Sequence, residues 1–288
     1  MEAAGKRYIV HPSRSDVFRV YDIADAHLGT RACCESKLIA DIESVRADTH
    51  SFWLGTGDTG EYITVTDKRF DPTVLAEWVE IKDLGKLGKH IAKHVRDTFR
   101  PIKHKCLGMC YGNHEASYMK YQDQMGLHSW LCTELGVPNM EYSALFDLVF
   151  VRNPRVKTPK MYLTLLSSME GCTRTSFRFY IHHGAGWAVT PGGKLNRLIK
   201  FMNAFEADVY MIGHVHDQVG KRKITVGANA NCTDIVARHK VGIISGSYLK
   251  TYMQGVTTYG ERAGYEATAL GAGFVTIKPE TREVRGEI

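Results

Sequence analysis

The stretch MIGHVHDQ, Met211–Gln218, decides how this sequence is interpreted. An apolar segment ends at Gly213, and His214 and His216 then flank a single valine. Residues i and i+2 of an extended chain point to the same side, so both imidazoles are predicted to lie together at the end of a buried strand. Two neutral imidazoles can serve as metal ligands, but histidines are also common in exposed turns. The rest of the chain has to distinguish these two interpretations.

The composition narrows the class of protein. The 288 residues suffice for one large α/β domain or two small ones. The net charge of +6 permits a polyanionic partner without requiring one, because nucleic-acid binding depends on clustered charge. The seven cysteines have no paired spacing, the N-terminus has no apolar signal segment, and no run approaches the ~20 apolar residues of a membrane helix. We therefore expect a soluble, cytoplasmic protein that does not bind membranes.

Strand-like and helical patterns alternate along the first half of the chain. Apolar runs predict buried strands at 17–25, 51–58 and 105–112. Helical spacing predicts helices around 38–45, from Pro72 to Phe99, and from about Glu115 to Leu135.

The second half of the chain is richer in strands. They are predicted at 143–151, 160–168, 176–183, 207–213, 221–226, 234–245 and 271–277, with one helix at 194–205. We therefore predict a single α/β domain over residues 1–288 with two sheets, completed by a β-rich segment at 217–288.

Polar residues follow five predicted strands at the points where these strands end. They are Asp25 and His27, Asp58, Asn113 and His114, His182 and His183, and His214 and His216. Ligand sites in α/β sheets gather at the carboxyl ends of strands, so these side chains are predicted to meet at one rim. A carboxylate such as that of Asp58 has two oxygens with which to bridge two cations. Mixed imidazole, carboxylate and amide donors suit Mn, Fe, Zn or Ni better than Ca or Mg.

Five motifs span residues 25 to 216 in order, namely DAH, GDTGE, GNHE, HHG and GHVH. As a set they resemble the motifs of the calcineurin-like metallophosphoesterase superfamily. The resemblance implies a four-layer sandwich of two mixed β-sheets flanked by helices, with two divalent metal ions, of which Mn is favoured. More loosely, the DKRFDP and SGSYLKTY stretches resemble phage- or prophage-encoded members.

Matching the motifs by position assigns a role to each of these residues. The first metal would be held by Asp25, His27, Asp58 and His216, and the second by Asp58, Asn113, His183 and His214. His114 would be the catalytic histidine that binds no metal. His183 is preferred to His182 because it directly precedes the glycine, as in the family motif.

The second motif departs from the family pattern at Glu61. Aspartate often stands at this place, and in some members it orients the catalytic histidine. Glutamate carries the same charge on a side chain that is one methylene longer. A pairing of Glu61 with His114 is therefore the expectation that the structure has to test.

The resemblance implies a metal-dependent phosphoesterase, and three alternatives stay open. We favour a phosphodiesterase or nuclease acting on DNA, RNA or nucleotides, because the family's protein phosphatases carry an arginine just after the second motif and Tyr62 and Ile63 follow it here. The alternatives are a phosphomonoesterase or protein phosphatase, a catalytically silent metal-binding scaffold, and a DNA-binding accessory protein. The sequence does not indicate an oligomeric state.

Two further groups of residues have both a functional and a structural interpretation. His90 and His94 have the i, i+4 spacing of a zinc-binding pair, although the lysines around them favour a solvated helix face. Lys194, Arg197 and Lys200 are spaced i, i+3 and i+6 on a predicted helix. They offer charge to a phosphate backbone, although a solvated face is the simpler interpretation.

Overall fold

The computed structural model describes residues 1–122, 126–186, 188 and 190–288. Its strands are β1 (Glu2–His11), β2 (Phe18–Asp22), β3 (Ser51–Gly55), β4 (Cys106–Met109), β5 (Ser143–Arg152), β6 (Lys160–Tyr162), β7 (Thr173–His182), β8 (Val209–Ile212), β9 (Gln218–Ala228), β10 (Ile235–Ser245), β11 (Gly273–Lys278) and β12 (Glu283–Glu287). Its α-helices are α1 (Glu35–Ala47), α2 (Leu87–Phe99), α3 (Asn113–Tyr121), α4 (Leu127–Leu135), α5 (Pro191–Ala204) and α6 (Tyr259–Arg262).

The strands form two mixed sheets. The seven-stranded sheet has the order β6-β1-β5-β7-β8-β10-β9, and the five-stranded sheet has the order β12-β11-β2-β3-β4. The central pairs β2–β3, β3–β4, β7–β8 and β8–β10 are parallel, whereas the pairs β11–β2 and β9–β10 are antiparallel. The carboxyl ends of neighbouring parallel strands therefore lie side by side in each sheet, as a ligand site requires.

Three apolar clusters separate the layers. Phe18 and Phe52 pack between the sheets with Phe146 and Phe179. Helices α1, α2 and α4 pack on the outer face of the five-stranded sheet, through side chains such as that of Leu38. Helix α5 covers the seven-stranded sheet with Leu198 and Met202. The predicted four-layer sandwich of two mixed sheets flanked by helices is therefore confirmed.

The long helix predicted from Pro72 to Phe99 is wrong in its first half. Only Pro72–Val74 and Ile81–Lys86 form short 3-10 helices there, and α2 begins only at Leu87. The backbone before it bonds to a neighbouring loop instead, since the amides of Arg31 and Ala76 donate to the carbonyls of Val74 and Gly29 at 2.8 and 3.0 Å. Hydrogen bonds to this loop thus replace the helical pattern, and they bring this segment to the edge of the polar rim.

Other predicted boundaries also need correction. The single helix predicted over 115–135 is two helices in the described ranges, and Gly126, with φ 75°, precedes the second. Residues 123–125 of that prediction lie outside the described residues. The strand predicted at 160–168 ends at Tyr162, and β1 and β12 were not predicted, because charged residues interrupt their apolar alternation.

The seven cysteines are all free thiols. None of the helices in the described part of the chain is long and apolar enough to cross a membrane. The single-domain organisation stays a prediction.

Candidate metal centre

Five residues of the rim hold the backbone in the left-handed region. The φ angles are 49° at Asp25 and His27, 50° at Asp58, 71° at His214 and 48° at His216. Positive φ is uncommon for residues other than glycine, and such strain concentrates at functional sites. The tight backbone turns after β2, β3 and β8 aim these side chains at one another.

The first donor cluster contains Asp25, His27 and His216. The Nε2 atoms of the two histidines lie 3.2 Å apart, and that of His216 is 3.3 Å from Oδ1 of Asp25. The second oxygen of Asp25 accepts the backbone N–H of His214 at 2.8 Å. Oδ1 is buried and has no hydrogen-bond partner among the described residues. A buried carboxylate oxygen directed at two imidazoles is the arrangement that a cation would satisfy.

The second donor cluster contains Asp58, His183 and His214. Nδ1 of His183 donates to the Thr56 carbonyl at 2.8 Å, because a carbonyl oxygen can only accept. Its Nε2 lies 2.9 Å from Oδ1 of Asn113 and 3.4 Å from Oδ2 of Asp58. The cluster therefore brings together all four residues predicted for the second metal.

His182 points away from this cluster. Its Nδ1 accepts the Gly184 amide N–H at 2.6 Å, and its ring packs on Phe201 at a centroid distance of 4.7 Å. Burial and the neighbouring charges of His183 and His214 lower the pKa of His182 to about 4. The geometry thus favours His183 as the donor at the end of β7.

Asp58 lies between the two clusters. Its Oδ2 is 3.4 Å from Nε2 of His183 and 3.9 Å from Nε2 of His27, and its Oδ1 accepts the His114 amide at 2.9 Å. Gly112 makes room for it, because a Cβ there would lie 2.0 Å from Oδ1. The carboxylate has the position expected of a bridge between two cations.

The carboxylate of Glu61 hydrogen-bonds to His27 and makes only a long ion pair with His114. Its Oε2 accepts from Nδ1 of His27 at 2.8 Å and lies 3.9 Å from Nδ1 of His114. Nδ1 of His114, the catalytic candidate, donates instead to the backbone carbonyl of Glu61 at 2.5 Å. The expected orienting contact is thus made by the main chain, and the longer glutamate side chain reaches a metal-ligand candidate.

The charges of the buried carboxylates favour cations at this site. Burial lowers the pKa of His27, but the hydrogen bond to Glu61 and the charges of Asp58 and Asp25 raise it to about 9. Burial likewise lowers the pKa of His183, and the nearby carboxylates raise it to about 10. Burial raises the pKa of Asp58, but His183 and His114 hold it well below its ordinary value. The donor types and the charges of these carboxylates fit two divalent cations.

Glu115, quoted in the GNHE motif without a role, supports the centre. Its Oε1 accepts the amide and the hydroxyl of Thr59 at 2.8 and 2.7 Å, and its Oε2 accepts the amides of Asp58 and Gly112 at 3.0 and 2.9 Å. This buried carboxylate ties the second motif to the third. In the sequence, only its position directly after His114 in the GNHE motif indicated a role for Glu115.

A cavity of about 490 Å³ opens above the clusters. Lys194, which is only 5% exposed, lines it and holds Asp217 at 2.9 Å. Another part of the lining comes from residues 249–268 and includes Lys250, Tyr259 and Tyr265. Apart from the SGSYLKTY stretch at its start, this part of the lining has no sequence motif that indicates a role.

His90 and His94 belong to a different surface. His94 stacks on Trp78 with ring centroids 3.9 Å apart and lies 3.8 Å from Glu35, and His90 lies 3.5 Å from Asp83. Neither belongs to a group of donors spaced for a metal among the described residues. The solvated-face interpretation fits this geometry.

Comparisons with known proteins give remote structural neighbours. A metallophosphoesterase from Sphaerobacter thermophilus is 11% identical over 94% of this chain and 88% of that chain, with a TM-score of 0.38. A Vps29 variant from Entamoeba histolytica is 13% identical over 90% of this chain and 85% of that chain, with a TM-score of 0.36. NAD nucleotidase from Haemophilus influenzae is 9% identical over 95% of this chain and 49% of that chain, with a TM-score of 0.40.

No family model and no curated protein matches the chain. All three TM-scores lie below 0.5.

Proposed function

We propose that this protein is a binuclear metal-dependent phosphoesterase, and that it acts on phosphodiesters of nucleic acids or nucleotides. One observation carries the proposal: a buried carboxylate, Asp58, lies between two clusters of imidazole and carboxylate donors. One metal would be held by Asp25, His27 and His216, the other by Asn113, His183 and His214, and both by Asp58. Two such cations lower the pKa of water and neutralise charge on a phosphoryl group.

The protein's own residues then bind and orient the ester. Lys194 offers a buried ammonium group in the cavity wall to a phosphate oxygen, and Asp217 fixes its position. His114 lines the cavity with Nδ1 bonded to the Glu61 carbonyl, so its Nε2 is the nitrogen available to a leaving oxygen. Mn²⁺ suits these donors best in our proposal, with Fe, Zn or Ni as alternatives.

The alternatives receive less support from the site. The family's protein phosphatases carry an arginine just after the second motif, whereas this chain has Tyr62 there. Tyr62 is 3% exposed and packs near Tyr118, so this position offers no positive charge to a phosphorylated protein substrate. A catalytically silent scaffold would not need every proposed metal ligand or a histidine held in the cavity, and this chain has both. The seven free thiols are the basis for proposing a cytoplasmic location.

Removal of metal tests the proposed function directly. Chelation should abolish hydrolysis of a bis-aryl phosphodiester, and Mn²⁺ should restore it better than Mg²⁺, since imidazole donors favour the softer ion. A substrate panel with a monoester, cyclic nucleotides and single- and double-stranded DNA would rank the substrate classes. Full activity in excess chelator would contradict the two-metal centre, and a preference for the monoester would contradict the diester assignment.

Glu61→Gln should weaken metal binding while leaving His114 in place. The carboxylate fixes the ring of His27, whereas His114 is held by the backbone carbonyl, which the substitution retains. Loss of such an outer-shell partner typically costs about 10–100-fold in metal affinity. Calorimetric titration of the metal-free protein measures this. Glu35→Gln, which alters a carboxylate beside His94, is the matched control. Equal affinity in wild type and Glu61→Gln would show that the contact does not support the metal.

A further inference from the structure

The positive charge of this protein is concentrated in one hairpin. Strands β9 and β10 with their connecting turn, residues 218–245, contain five Lys or Arg residues and one Asp, a net of +4 out of +6 for the chain. Asp234, the acidic residue, lies near the tip and binds Asn229 at 3.2 Å. Clustered charge of this kind, and not the average of a sequence, distinguishes polyanion-binding surfaces.

Most of these cations share one face of the hairpin. Lys223 pairs with Lys240 in the antiparallel register, and Arg238 pairs with Thr225 two positions further out. Partners in register and residues two apart point to the same face, which Lys221 therefore shares. The same face carries Gly242, where a Cβ would meet Leu198 of α5 at 2.8 Å. The cationic face thus lies on the side of the sheet that α5 covers.

Helix α5 continues this charge towards the cavity. The ammonium group of Lys223 donates to Oδ1 of Asn203, which lies one helical turn beyond Lys200. Arg197, one turn earlier, donates to the carbonyl of Ala185, next to cavity-lining Gly186. Residues three apart lie on the same side of a helix. We define the cationic track by Arg197, Lys200, Lys221, Lys223, Arg238 and Lys240.

The outer cations of the track have no carboxylate partner. Within the described ranges, Lys200, Lys221 and Arg238 have no Asp or Glu oxygen within 4.0 Å. Lysines on the edge strand β9 also protect it from pairing with another sheet. That role explains Lys221 and Lys223, but not Arg238 on the inner strand or Lys200 on the helix. Like charges gathered without partners repel one another, and an anion would relieve this.

We propose that the cationic track binds the phosphate backbone of a nucleic acid whose chain runs into the cavity. Arg197 and Lys200 are about 4.5 Å apart along α5, and Arg238 and Lys240 are roughly 7 Å apart along β10. The orientation towards the cavity rests on the proposed function, whereas the binding itself does not.

Binding of a fluorescent 20-nucleotide DNA to the full chain tests the proposal. Anisotropy is measured against salt concentration for single- and double-stranded DNA, with metals chelated so that no hydrolysis occurs. The track variant carries Lys200→Gln, Lys221→Gln and Arg238→Gln. The control carries Lys89→Gln, Lys93→Gln and Lys103→Gln, three exposed lysines on and just after α2. Both variants lower the net charge by three.

The track variant should bind DNA at least about tenfold more weakly than the control in 0.1 M salt. The slope of log Kd against log salt should fall by about 2–3, since each lost phosphate contact contributes about 0.7–0.9. The control should stay within about twofold of wild type. Lys200→Gln alone should lower the slope by about one, and thermal melting confirms that each variant is folded.

Two results would contradict the proposal that the cationic track binds nucleic acid. One is equal weakening in both triple variants, which would indicate only net charge. The other is an absence of DNA binding by the wild type. Hydrolysis of the bis-aryl diester should be unchanged in both variants, because neither alters the metal centre. DNA binding without any diester hydrolysis would support the track and reject the proposed function, so the two proposals fail separately.

Discussion

Asp58→Asn should lose bound metal and turnover together. We expect fewer than two metals per chain and a fall in kcat on the order of 10³-fold, because two-metal stabilisation contributes several kcal/mol. Metal analysis after gel filtration and hydrolysis of the bis-aryl phosphodiester measure the two effects on one sample. The substitution preserves the size of the side chain, so the result reports charge and donor chemistry.

The expectation follows from the contacts of the carboxylate. One oxygen is 3.4 and 3.9 Å from the nitrogens of His183 and His27, and the other accepts the amide of His114. An asparagine can keep the second contact with its carbonyl oxygen. Its amide nitrogen would then occupy the first position, where it cannot ligate a metal. Both cations would lose a ligand, and the site would lose one negative charge.

Asp16→Asn is the matched control for this experiment. Asp16 is also held by two histidines, with its oxygens 3.0 Å from His11 and 3.1 Å from His50. It lies before β2, whereas the metal centre lies beyond the other end of that strand. The control should keep both metals and normal turnover. If Asp58→Asn does the same, another group bridges the metals and the proposed assignment fails.

The sequence predicted the centre well because its donors follow directly on strands. A buried strand shows in a single sequence as a short apolar run, and the donors of β2, β3 and β8 lie within five residues of the strand ends. The shared rim then follows from the parallel order within each sheet. No local pattern predicts that the two sheets meet at that rim. This expectation came from the resemblance of the motifs to a known family.

Other features depend on contacts that no local pattern encodes. The direction of the Glu61 side chain is set by packing around His27 and by the turn at Tyr62, where φ is 48°. The segment after Pro72 has helical spacing, yet its backbone bonds to the loop containing Gly29 and Arg31. The cationic track joins α5 to β9 through Lys223 and Asn203, which are twenty positions apart. Such features depend on contacts between residues that are far apart in the sequence.

The largest effect on chemistry without loss of metal is expected for His114→Ala. The residue lies close to the centre, and one of its ring nitrogens is within reach of donors of His27 and Asp58. Its Nδ1, however, is already bonded to the Glu61 carbonyl. We therefore expect the variant to keep both metals and to lose about 10²–10⁴-fold in kcat, the usual contribution of general acid–base catalysis.

Leaving groups of different basicity separate two ways in which His114 can act. If it protonates the leaving oxygen, the loss should be large for a nucleoside or alkyl leaving group and small for p-nitrophenolate, which departs without a proton. If it stabilises the phosphoryl oxygens instead, the loss should be similar for all esters. His182→Ala is the control, since that neighbouring ring lies outside the donor clusters. Loss of a metal from His114→Ala would make this residue a ligand, and the assignment of the general acid would then be wrong.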